Sequence, residues 1–398
     1  MTARGADVVV IGGGAIGLAC AYYLARAGAR PVVLDRGPLG AAASTHNQHM
    51  VLALTKVPGP LGDLALRSAA LYWQLQVELG DDFDTVQSGT LMLYETEDAL
   101  AAAAATVDGR REAGLRVQLF RGAELQEIEP LVAPDLAGGL LASDAFQIDP
   151  ARFVASLARA SQARGAVLRP GVGATGIEVG GGRVEAVLTT DGRLPARAVV
   201  CAAGPWSREV GSWVGIDLPV TPRRGIVIET APAPRLARHM LMDGGYHRRS
   251  QLSPAEQAAA DPLDRHGISF VLVQRPDGRC LLGGSREHVG FGDDPDPLVL
   301  DLIRQRARRF LPGAPPLAEA RTYWGFRPYS DDRLPFVGPV PAPAGFYVAT
   351  GHEGSGLTLA PATGEVLAEL VTRGRSALDV AHLTPARPWP PPPRRVSE

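Results

Sequence analysis

Residues 7–28 read DVVVIGGGAIGLACAYYLARAG. The β-branched run at 7–11 is typical of a strand buried on both faces, and it leads directly into a turn of glycines. The apolar spacing that follows predicts a helix ending at Gly28, because glycine commonly follows a helix C-terminus. RPVVLD then predicts a second strand, which ends at Asp35. The stretch therefore predicts a complete βαβ unit.

The glycines of this unit have the GxGxxG spacing at Gly12, Gly14 and Gly17. In a dinucleotide-binding fold the first glycine permits the tight turn and the second lets the backbone approach a pyrophosphate. The third lets the helix pack closely on the strand. Asp35 stands where an acidic side chain accepts hydrogen bonds from a ribose. The pattern predicts a dinucleotide site without distinguishing NAD from FAD; the alternative is a glycine turn that binds no ligand.

Size and composition limit the class of protein. A chain of 398 residues with 45% hydrophobic and 21% charged residues is long enough for two domains, or for one large domain with an insertion. A net charge of −2 favours neither nucleic acid nor an anionic membrane as partner. Cys20, Cys201 and Cys280 form no CxxC pair, and no uninterrupted apolar run is long enough to span a membrane. We expect a cytoplasmic protein without a structural metal.

The remaining pattern divides the chain into alternating regions. Residues 62–79 and 95–116 predict helices, and strand-like segments dominate from about 216 to 322 around a polar insertion at 243–267. A strand, a glycine turn and a helix return near residue 346. The proline-rich residues 385–398 predict an extended, poorly ordered tail.

Three glycine-turn motifs together carry a family resemblance. They are the N-terminal stretch quoted above, VVCAAGPWS at 199–207, and WGFRPYSDDRLPFVGPV followed by FYVATGHEGSGLTLAPATG between 324 and 364. With these motifs the chain resembles the FAD-dependent amine and amino acid oxidoreductases of the D-amino-acid oxidase, glycine oxidase and sarcosine oxidase family. Opine oxidase and hydroxyproline dehydrogenase subunits are close relatives. The resemblance covers Val8 to about Thr372 and favours FAD over NAD.

The resemblance implies an α/β fold, α+β overall, in which a Rossmann-like FAD-binding domain carries an inserted, mostly antiparallel β domain for the substrate. The FAD-binding domain would comprise residues 1–80, 145–215 and 325–384. The substrate domain would comprise residues 81–144 and 216–324, and the tail would follow.

The resemblance also implies the cofactor contacts. The N-terminal turn would hold the pyrophosphate, and backbone amides of the C-terminal turn would face the flavin ring and stabilise negative charge on it. The implied residues are Gly12, Gly14, Ala15, Ile16, Gly17, Asp35, Arg36, Ser44, Thr45, Asn47, Val172, Ala203, Gly204, Gly351, Gly354, Ser355, Gly356 and Leu357.

On the substrate side, the arginine of the GFRP motif is Arg327. In relatives this arginine pairs with the substrate carboxylate, which a guanidinium fork can bind with two hydrogen bonds. Tyr246, His247, Tyr323 and Trp324 are further candidates, of which Tyr246 is the one we select as catalytic; each of them can equally be a core or loop residue.

The segment STHNQHM at 44–50 places His46 and His49 around Asn47, in a part of the chain that lies near the flavin in the family. A closed metal site is disfavoured, since no carboxylate or thiolate partner accompanies the two histidines. Three hypotheses remain. His46 carries a covalent flavin bond, as in related dimethylglycine dehydrogenases; His46 or His49 acts noncovalently beside flavin or substrate; or both are ordinary loop residues. Noncovalent FAD is favoured.

The reaction implied by the resemblance is oxidation of the C–N bond of a small amino acid or secondary amine by hydride transfer to flavin N5. The imine product gives an oxo acid or remains a cyclic imine, and O2 takes the electrons to form H2O2. The only lysine, Lys56, is not at the position where sarcosine oxidases use one for oxygen activation. An alternative is therefore a flavin subunit of a hetero-oligomeric dehydrogenase that passes electrons to a partner. A homo-oligomer, or a flavin protein without turnover, also stays open.

Overall fold

The computed structural model describes residues 6–388 apart from 82 and 293. The strands are β1 Ala6–Ile11, β2 Pro31–Asp35, β3 Met50–Val51, β4 Thr90–Tyr94, β5 Val117–Arg121, β6 Gly138–Ala142, β7 Phe146–Gln147, β8 Val167–Pro170, β9 Ala174–Gly180, β10 Arg183–Thr189, β11 Gly192–Cys201, β12 Thr221–Thr230, β13 Met240–Asp243, β14 Val271–Gln274, β15 Cys280–Gly283, β16 Glu319–Tyr329, β17 Phe336–Pro339 and β18 Phe346–Thr350. The helices are α1 Ala15–Arg26, α2 Gly62–Leu79, α3 Glu97–Ala104, α4 Val107–Glu112, α5 Ala123–Ile128, α6 Pro150–Ala163, α7 Ser207–Ser212, α8 Tyr246–Gln251, α9 Pro254–Ala259, α10 Pro262–Arg265, α11 Pro297–Phe310 and α12 Gly356–Arg373.

The first large sheet contains the N-terminal βαβ unit. Its central order is β17-β18-β11-β1-β2-β8, and β9 and β10 extend it through β11. The pairs β8–β2, β2–β1, β1–β11 and β11–β18 are all parallel. The carboxyl ends of these strands therefore meet at one edge, which is where ligands bind in open α/β sheets.

Two helices pack together beside this sheet. Most residues of α1 are buried, as are eleven positions of α12. A Cβ atom added at Gly364 of α12 would lie 2.6 Å from the backbone carbon of Ala19 in α1. The close approach of the two helices therefore depends on glycine at this position.

The second large sheet has the order β16-β12-β15-β14-β13-β4-β6-β5. Its pairs are antiparallel except β13–β4, which is parallel. The predicted fold class, a Rossmann-like domain combined with a mostly antiparallel β domain, is confirmed. The domain boundaries stay a prediction; β16 extends past the predicted boundary at 324 and carries Arg327 within the second sheet.

Two local predictions differ from the structure. The helix predicted over 95–116 is split into α3 and α4. The Thr106 hydroxyl donates a hydrogen bond of 2.6 Å to the Ala103 carbonyl, a local bond that competes with helix continuation.

Of the predicted tail, residues 389–398 lie outside the described part. Within it, Arg387 pairs with Asp332 at 2.7 Å and lies over the Phe336 ring, so this part of the tail is packed rather than loose.

None of the helices within the described residues is both long enough and apolar enough to cross a membrane.

Candidate active site

A long cavity runs along the carboxyl edge of the first sheet and reaches the second sheet. At one end it is lined by the glycine loop and Asp35, and at the other by Arg327, Tyr246 and Glu353. A dinucleotide and a small second molecule require such a continuous space, since the reactive end of the cofactor must meet the substrate.

The glycine loop lets the backbone close tightly around one end of this cavity. Gly12 has a φ of +112°, and its amide donates a hydrogen bond of 2.8 Å to the Leu34 carbonyl. A Cβ atom at Gly12 would lie 2.3 Å from the Ala202 oxygen, and one at Gly17 would lie 1.9 Å from the Gly12 oxygen. Both clashes are with backbone atoms, so these positions require glycine, as the sequence pattern predicts.

Asp35 is fixed at the end of β2. Its carboxylate accepts hydrogen bonds of 2.8 Å from the amides of Gly13 and Gly37. Because each carboxylate oxygen has two lone pairs, this group can also accept from a ribose diol in the cavity. Gly173 and Ala174 line the same end, whereas Val172 packs towards the core.

Trp206 lines the cavity, although its place in the motif AAGPWS did not lead to its prediction as a site residue. The guanidinium carbon of Arg36 lies 4.3 Å from the centre of the Trp206 ring, and Phe291 is stacked on this ring at 5.1 Å. Ala203 and Gly204, just before it, also line the cavity. Its bulk after a strand-to-glycine turn is the signal that marks it.

The STHNQHM segment forms a compact turn beside the cavity. The Ser44 hydroxyl accepts a hydrogen bond of 2.9 Å from the Ala15 amide, at the N-terminus of α1. Asn47 donates to the carbonyls of Ala43 and Ser44, and its side-chain oxygen accepts from the His49 amide at 2.8 Å. The turn therefore orients its side chains through Asn47.

The two histidines of this segment point to different environments. His46 lines the cavity; its Nδ1 lies 2.9 Å from the Ala42 carbonyl oxygen, and its ring meets Tyr323 edge-on at 5.6 Å. His49, with a φ of 62°, is 7% exposed and does not line the cavity. Burial lowers the pKa of His49 to about 4, so it is uncharged at neutral pH. The two histidines are not brought together at one ligand.

Several predicted cofactor residues support the cavity from behind instead of lining it. Thr45, for example, donates a hydrogen bond of 2.8 Å to the Gly40 carbonyl. The supporting residues are Gly17, Thr45, Val172, Gly351 and Ser355. The other predicted cofactor residues line the cavity: Gly12, Gly14, Ala15, Ile16, Asp35, Arg36, Ser44, Asn47, Ala203, Gly204, Gly354, Gly356 and Leu357.

The C-terminal glycine turn joins β18 to the N-terminus of α12. Because unpaired amides and the positive end of the helix dipole meet there, this end of α12 favours a negatively charged group. His352, in this turn, is largely buried but lines the cavity, and its Nε2 lies 3.1 Å from the Thr363 hydroxyl. Burial lowers the pKa of His352 to about 3, so it adds no charge to the turn at neutral pH.

Arg327, on β16, enters the cavity where the two sheets meet. Its Nη1 donates hydrogen bonds to the carbonyls of Ser285 (2.8 Å) and Arg224 (3.3 Å), which hold the guanidinium in place. Its Nε lies 3.9 Å from a carboxylate oxygen of Glu353. A Cβ atom at Gly225 would lie 2.2 Å from the guanidinium, so this glycine provides the space for it.

Glu353 and Lys56 line the same end of the cavity as Arg327, and neither was predicted as a site residue from the sequence. Burial by itself raises the pKa of Glu353, but Arg327, Arg223 and Arg286 lower it to about 2. The Lys56 ammonium donates a hydrogen bond of 2.8 Å to Thr55. Burial lowers its pKa to about 8, Glu353 opposes this effect, and Arg286 adds to it.

Of the other substrate-side candidates, one lines the cavity and three do not. Tyr246, on α8, lines the cavity, and the Arg286 guanidinium carbon lies 4.0 Å from the centre of its ring. The Tyr323 hydroxyl donates to the Asn47 carbonyl at 3.1 Å, and Trp324 packs on the core of the second sheet. His247, like these two, is not a lining residue.

The arrangement fits FAD better than a smaller nucleotide. The glycine loop and Asp35 can hold a pyrophosphate and a ribose. The N-terminal end of α12, further along the same cavity, offers amides to an electron-rich ring. The open space beyond that turn is bounded by the fixed guanidinium of Arg327.

Comparison with known proteins supports this fit. The model of the DAO family of FAD-dependent oxidoreductases matches residues 7–370. A glycine oxidase from Geobacillus kaustophilus is 30% identical over 384 residues, 94% of this chain and 95% of that protein. The hydrogen cyanide synthase subunit HcnC from Pseudomonas aeruginosa is 29% identical and is covered over 97% of both chains. The crystal structure of glycine oxidase from Geobacillus kaustophilus has a TM-score of 0.84, with 28% identity over 96% of this chain and 98% of that one. The chain therefore belongs to the DAO family of FAD-dependent oxidoreductases.

Proposed function

We propose that the protein oxidises the C–N bond of a small amino acid or secondary amine, with O2 as electron acceptor. The observation that carries this proposal is the position of Arg327, whose guanidinium lines the cavity of the glycine loop and is fixed by two backbone carbonyls. A cation held in this way selects an anionic substrate, and a carboxylate is the anion that a guanidinium fork matches best.

In this proposal the roles of the residues are positional and electrostatic. Arg327 binds the substrate carboxylate through the edge that its backbone contacts leave free. Tyr246 closes the cavity on the substrate side, and the amides at the start of α12 stabilise negative charge on the cofactor ring. Bound FAD supplies the acceptor for the hydride from the substrate carbon. The imine that results is hydrolysed to an oxo acid or kept as a cyclic imine.

His46 is proposed to act beside a noncovalently bound flavin. The Ala42 carbonyl can only accept a hydrogen bond, so Nδ1 of His46 donates to it, and no hydrogen bond of Nε2 is found among the described residues. A covalent bond at His46 is the alternative. Denaturing the purified yellow protein and separating it from small molecules tests this: colour in the small-molecule fraction supports noncovalent FAD, and colour that stays on the chain supports the covalent bond.

The second candidate is a flavin subunit that passes electrons to a partner protein. The relative HcnC, which is named a subunit, favours it. Two assays on the purified protein separate the candidates. In the first, peroxide is measured in air with a panel of amino acids. In the second, reduction of an artificial acceptor dye is measured without air. Peroxide that forms at the same rate as the substrate is consumed supports the oxidase. Dye reduction without peroxide contradicts it and supports the partner-dependent dehydrogenase.

A further inference from the structure

The substrate end of the cavity is surrounded by more positive charge than its acidic side chain can balance. Glu353 lies 3.7 Å from Nη1 of Arg223 and 3.9 Å from Nε of Arg327. Arg286 also acts on this carboxylate, and Lys56 lines the cavity beside it. Among the described residues, three guanidinium groups and one ammonium group thus face Glu353, and Glu287, which also acts on Arg327, is paired with Arg224.

Two of these arginines are buried with nitrogen atoms that have no hydrogen-bond partner among the described residues. Arg223 is 0% exposed, and its Nε and Nη2 are unpaired; Arg286 is 2% exposed, and its Nε is unpaired. The neighbouring Arg224 shows the usual arrangement, because it donates to both oxygens of Glu287 at 3.1 and 3.2 Å. A buried cation that is only partly paired costs free energy unless an anion completes the site.

Lys56 is the cation of this group with the least protein contact. It is the only lysine of the chain, and its one hydrogen bond among the described residues goes to Thr55, which also lines the cavity. The titratable groups that interact electrostatically with its ammonium are Glu353, Arg286 and His247. A flexible ammonium with free donors in a cavity can bind one oxygen of a carboxylate.

A monocarboxylate amine does not balance this environment. Once its amine is neutral, as C–N oxidation requires, such a substrate brings one negative charge, and Arg327 binds it. Among the described residues, Arg223, Arg286 and Lys56 then face the one carboxylate of Glu353, which leaves two positive charges in excess. A second carboxylate on the substrate would reduce this excess to one charge.

We propose that the substrate carries two carboxylates and that Lys56 binds the second while Arg327 binds the first. This rests on the proposed function, and it narrows the substrate class to dicarboxylic amino acids or secondary amines. Arg223 and Arg286 do not line the cavity and act as positioning residues that keep this end of the cavity positive. Arg286 acts through the Tyr246 ring, on which its guanidinium lies.

The first test uses substrate pairs that differ by one carboxylate, N-methylglycine against iminodiacetate and alanine against aspartate in both configurations. Anaerobic flavin reduction is measured by rapid mixing with the FAD-loaded protein. We expect an efficiency about 10- to 100-fold higher for the dicarboxylate of at least one pair, which corresponds to one charged hydrogen bond. Equal efficiency within both pairs overturns the proposal and leaves the proposed function intact. Absence of reduction by every amine overturns the proposed function.

Variants of the lysine sharpen this test. Lys56→Gln should remove the advantage of the dicarboxylate by lowering its efficiency far more than that of the monocarboxylate, whereas Lys56→Arg should keep part of the advantage. Arg193→Gln, which removes an exposed charge paired with Glu178, is the matched control and should change neither rate. If Lys56→Gln slows reoxidation by O2 and leaves flavin reduction unchanged for both substrates, Lys56 acts on oxygen and the proposal is wrong.

A second readout needs no turnover. Because Lys56 is the only lysine, an amine-selective acylating reagent has one side-chain target, and peptide mass spectrometry separates it from the N-terminal amine. Malonate or succinate should slow acylation of Lys56 in the FAD-loaded protein at least several-fold more than acetate or propionate at equal ionic strength. Equal protection by mono- and dicarboxylates contradicts the proposal even if all variants fold.

Discussion

At the scale of single residues, Arg327 is held in the orientation that the proposed substrate contact requires. Its Nη1 is committed to the carbonyls of Ser285 and Arg224, so little side-chain entropy remains to be lost when a carboxylate binds. Burial lowers its pKa, but an arginine remains charged at any physiological pH. The guanidinium is therefore a permanent, oriented cation.

Arg327→Ala should raise the KM for carboxylate-bearing amines far more than for amines without a carboxylate. The expected loss is about 1.5–3 kcal/mol in transition-state binding, the worth of a hydrogen bond to a charged group. Steady-state kinetics on matched amines, such as alanine and ethylamine, measure this difference. Arg327→Lys keeps the charge but not the fork and should be intermediate. An equal effect on both amines would remove Arg327 from the carboxylate site.

The residue scale is also where the sequence was least informative. Arg327 was found because it stands in the GFRP motif, and the position of Asp35 follows from the βαβ unit. Glu353 and Trp206 stand in quoted motifs but were not predicted as site residues, and Lys56 stands in no motif; their positions in the cavity depend on which chain segments the fold brings together. The rarity of lysine in the chain was the one sequence signal for Lys56.

At the scale of elements, the pairing of β12 with β16 determines where Arg327 stands. Gly225 of β12 pairs with Gly325 of β16, and Arg223 pairs with Arg327. The missing side chain of Gly225 leaves the volume that the Arg327 guanidinium occupies. The strand pair therefore determines the position of the guanidinium that we propose binds the substrate carboxylate.

Gly225→Ala should displace the guanidinium and leave the fold intact, because the new Cβ would meet the flexible end of a side chain and not backbone. We expect a rise in KM for carboxylate-bearing amines of about 10-fold or more, with FAD content and melting temperature close to those of the wild type. A KM equal to that of the wild type would show that the position of the guanidinium does not matter for substrate binding.

The glycine loop gives the opposite case, because a Cβ at Gly17 would meet the Gly12 backbone oxygen at 1.9 Å. Gly17→Ala should weaken docking of α1 on β1 and lower the FAD retained after purification. Gly109→Ala is the control; it lies in α4 with nothing within 4 Å of the added atom. Flavin absorbance per protein chain measures both. Full FAD retention in Gly17→Ala would contradict this account of the loop.

Elements were predicted best where one physical cause dominates. The strand and helix of the βαβ unit and helix 62–79 follow from burial periodicity, and α2 spans the predicted residues. The single helix predicted over 95–116 was wrong because alanine content favours a helix, whereas the chain breaks between α3 and α4, where the Thr106 hydroxyl bonds to the Ala103 carbonyl.

At the scale of the whole molecule, buried neutral histidines link stability to pH. Burial lowers the pKa of His49 to about 4, with Arg275 adding to the effect and Asp149 and Glu229 opposing it. The unfolded chain binds a proton at this histidine near pH 6.5, whereas the folded chain does not. Its contribution is therefore complete above pH 6.5 and is lost as the pH falls towards 4.

His49→Asn should reduce this loss. Asparagine tolerates the positive φ of His49 and does not titrate. The free energy of unfolding, measured with denaturant on the FAD-loaded protein, should fall between pH 8 and pH 5 in the wild type. This fall should be about 2 kcal/mol larger in the wild type than in the variant. An identical pH dependence would show that His49 titrates in the folded protein. Catalysis is a separate readout, and loss of flavin reduction in His49→Asn would support the hypothesis of a role beside the flavin.

The combination of a Rossmann-like domain with a mostly antiparallel β domain was implied by the family resemblance, and the structural comparison confirms it. The connections between the sheets were not, because β16 crosses the predicted domain boundary and the turn at 44–50 divides its two histidines between different environments. Such features depend on the packing of distant segments, on which local periodicity carries no information.

Anaerobic titration of the purified, FAD-containing protein with amino acids and secondary amines tests the central claim most directly. The panel should contain both enantiomers of the amino acids, N-methylglycine, iminodiacetate and prolines. We predict that at least one carboxylate-bearing amine bleaches the visible flavin absorbance completely and that Arg327→Ala requires a much higher concentration. If the flavin stays oxidised with every amine while a chemical reductant bleaches it, the proposed amine oxidation is contradicted.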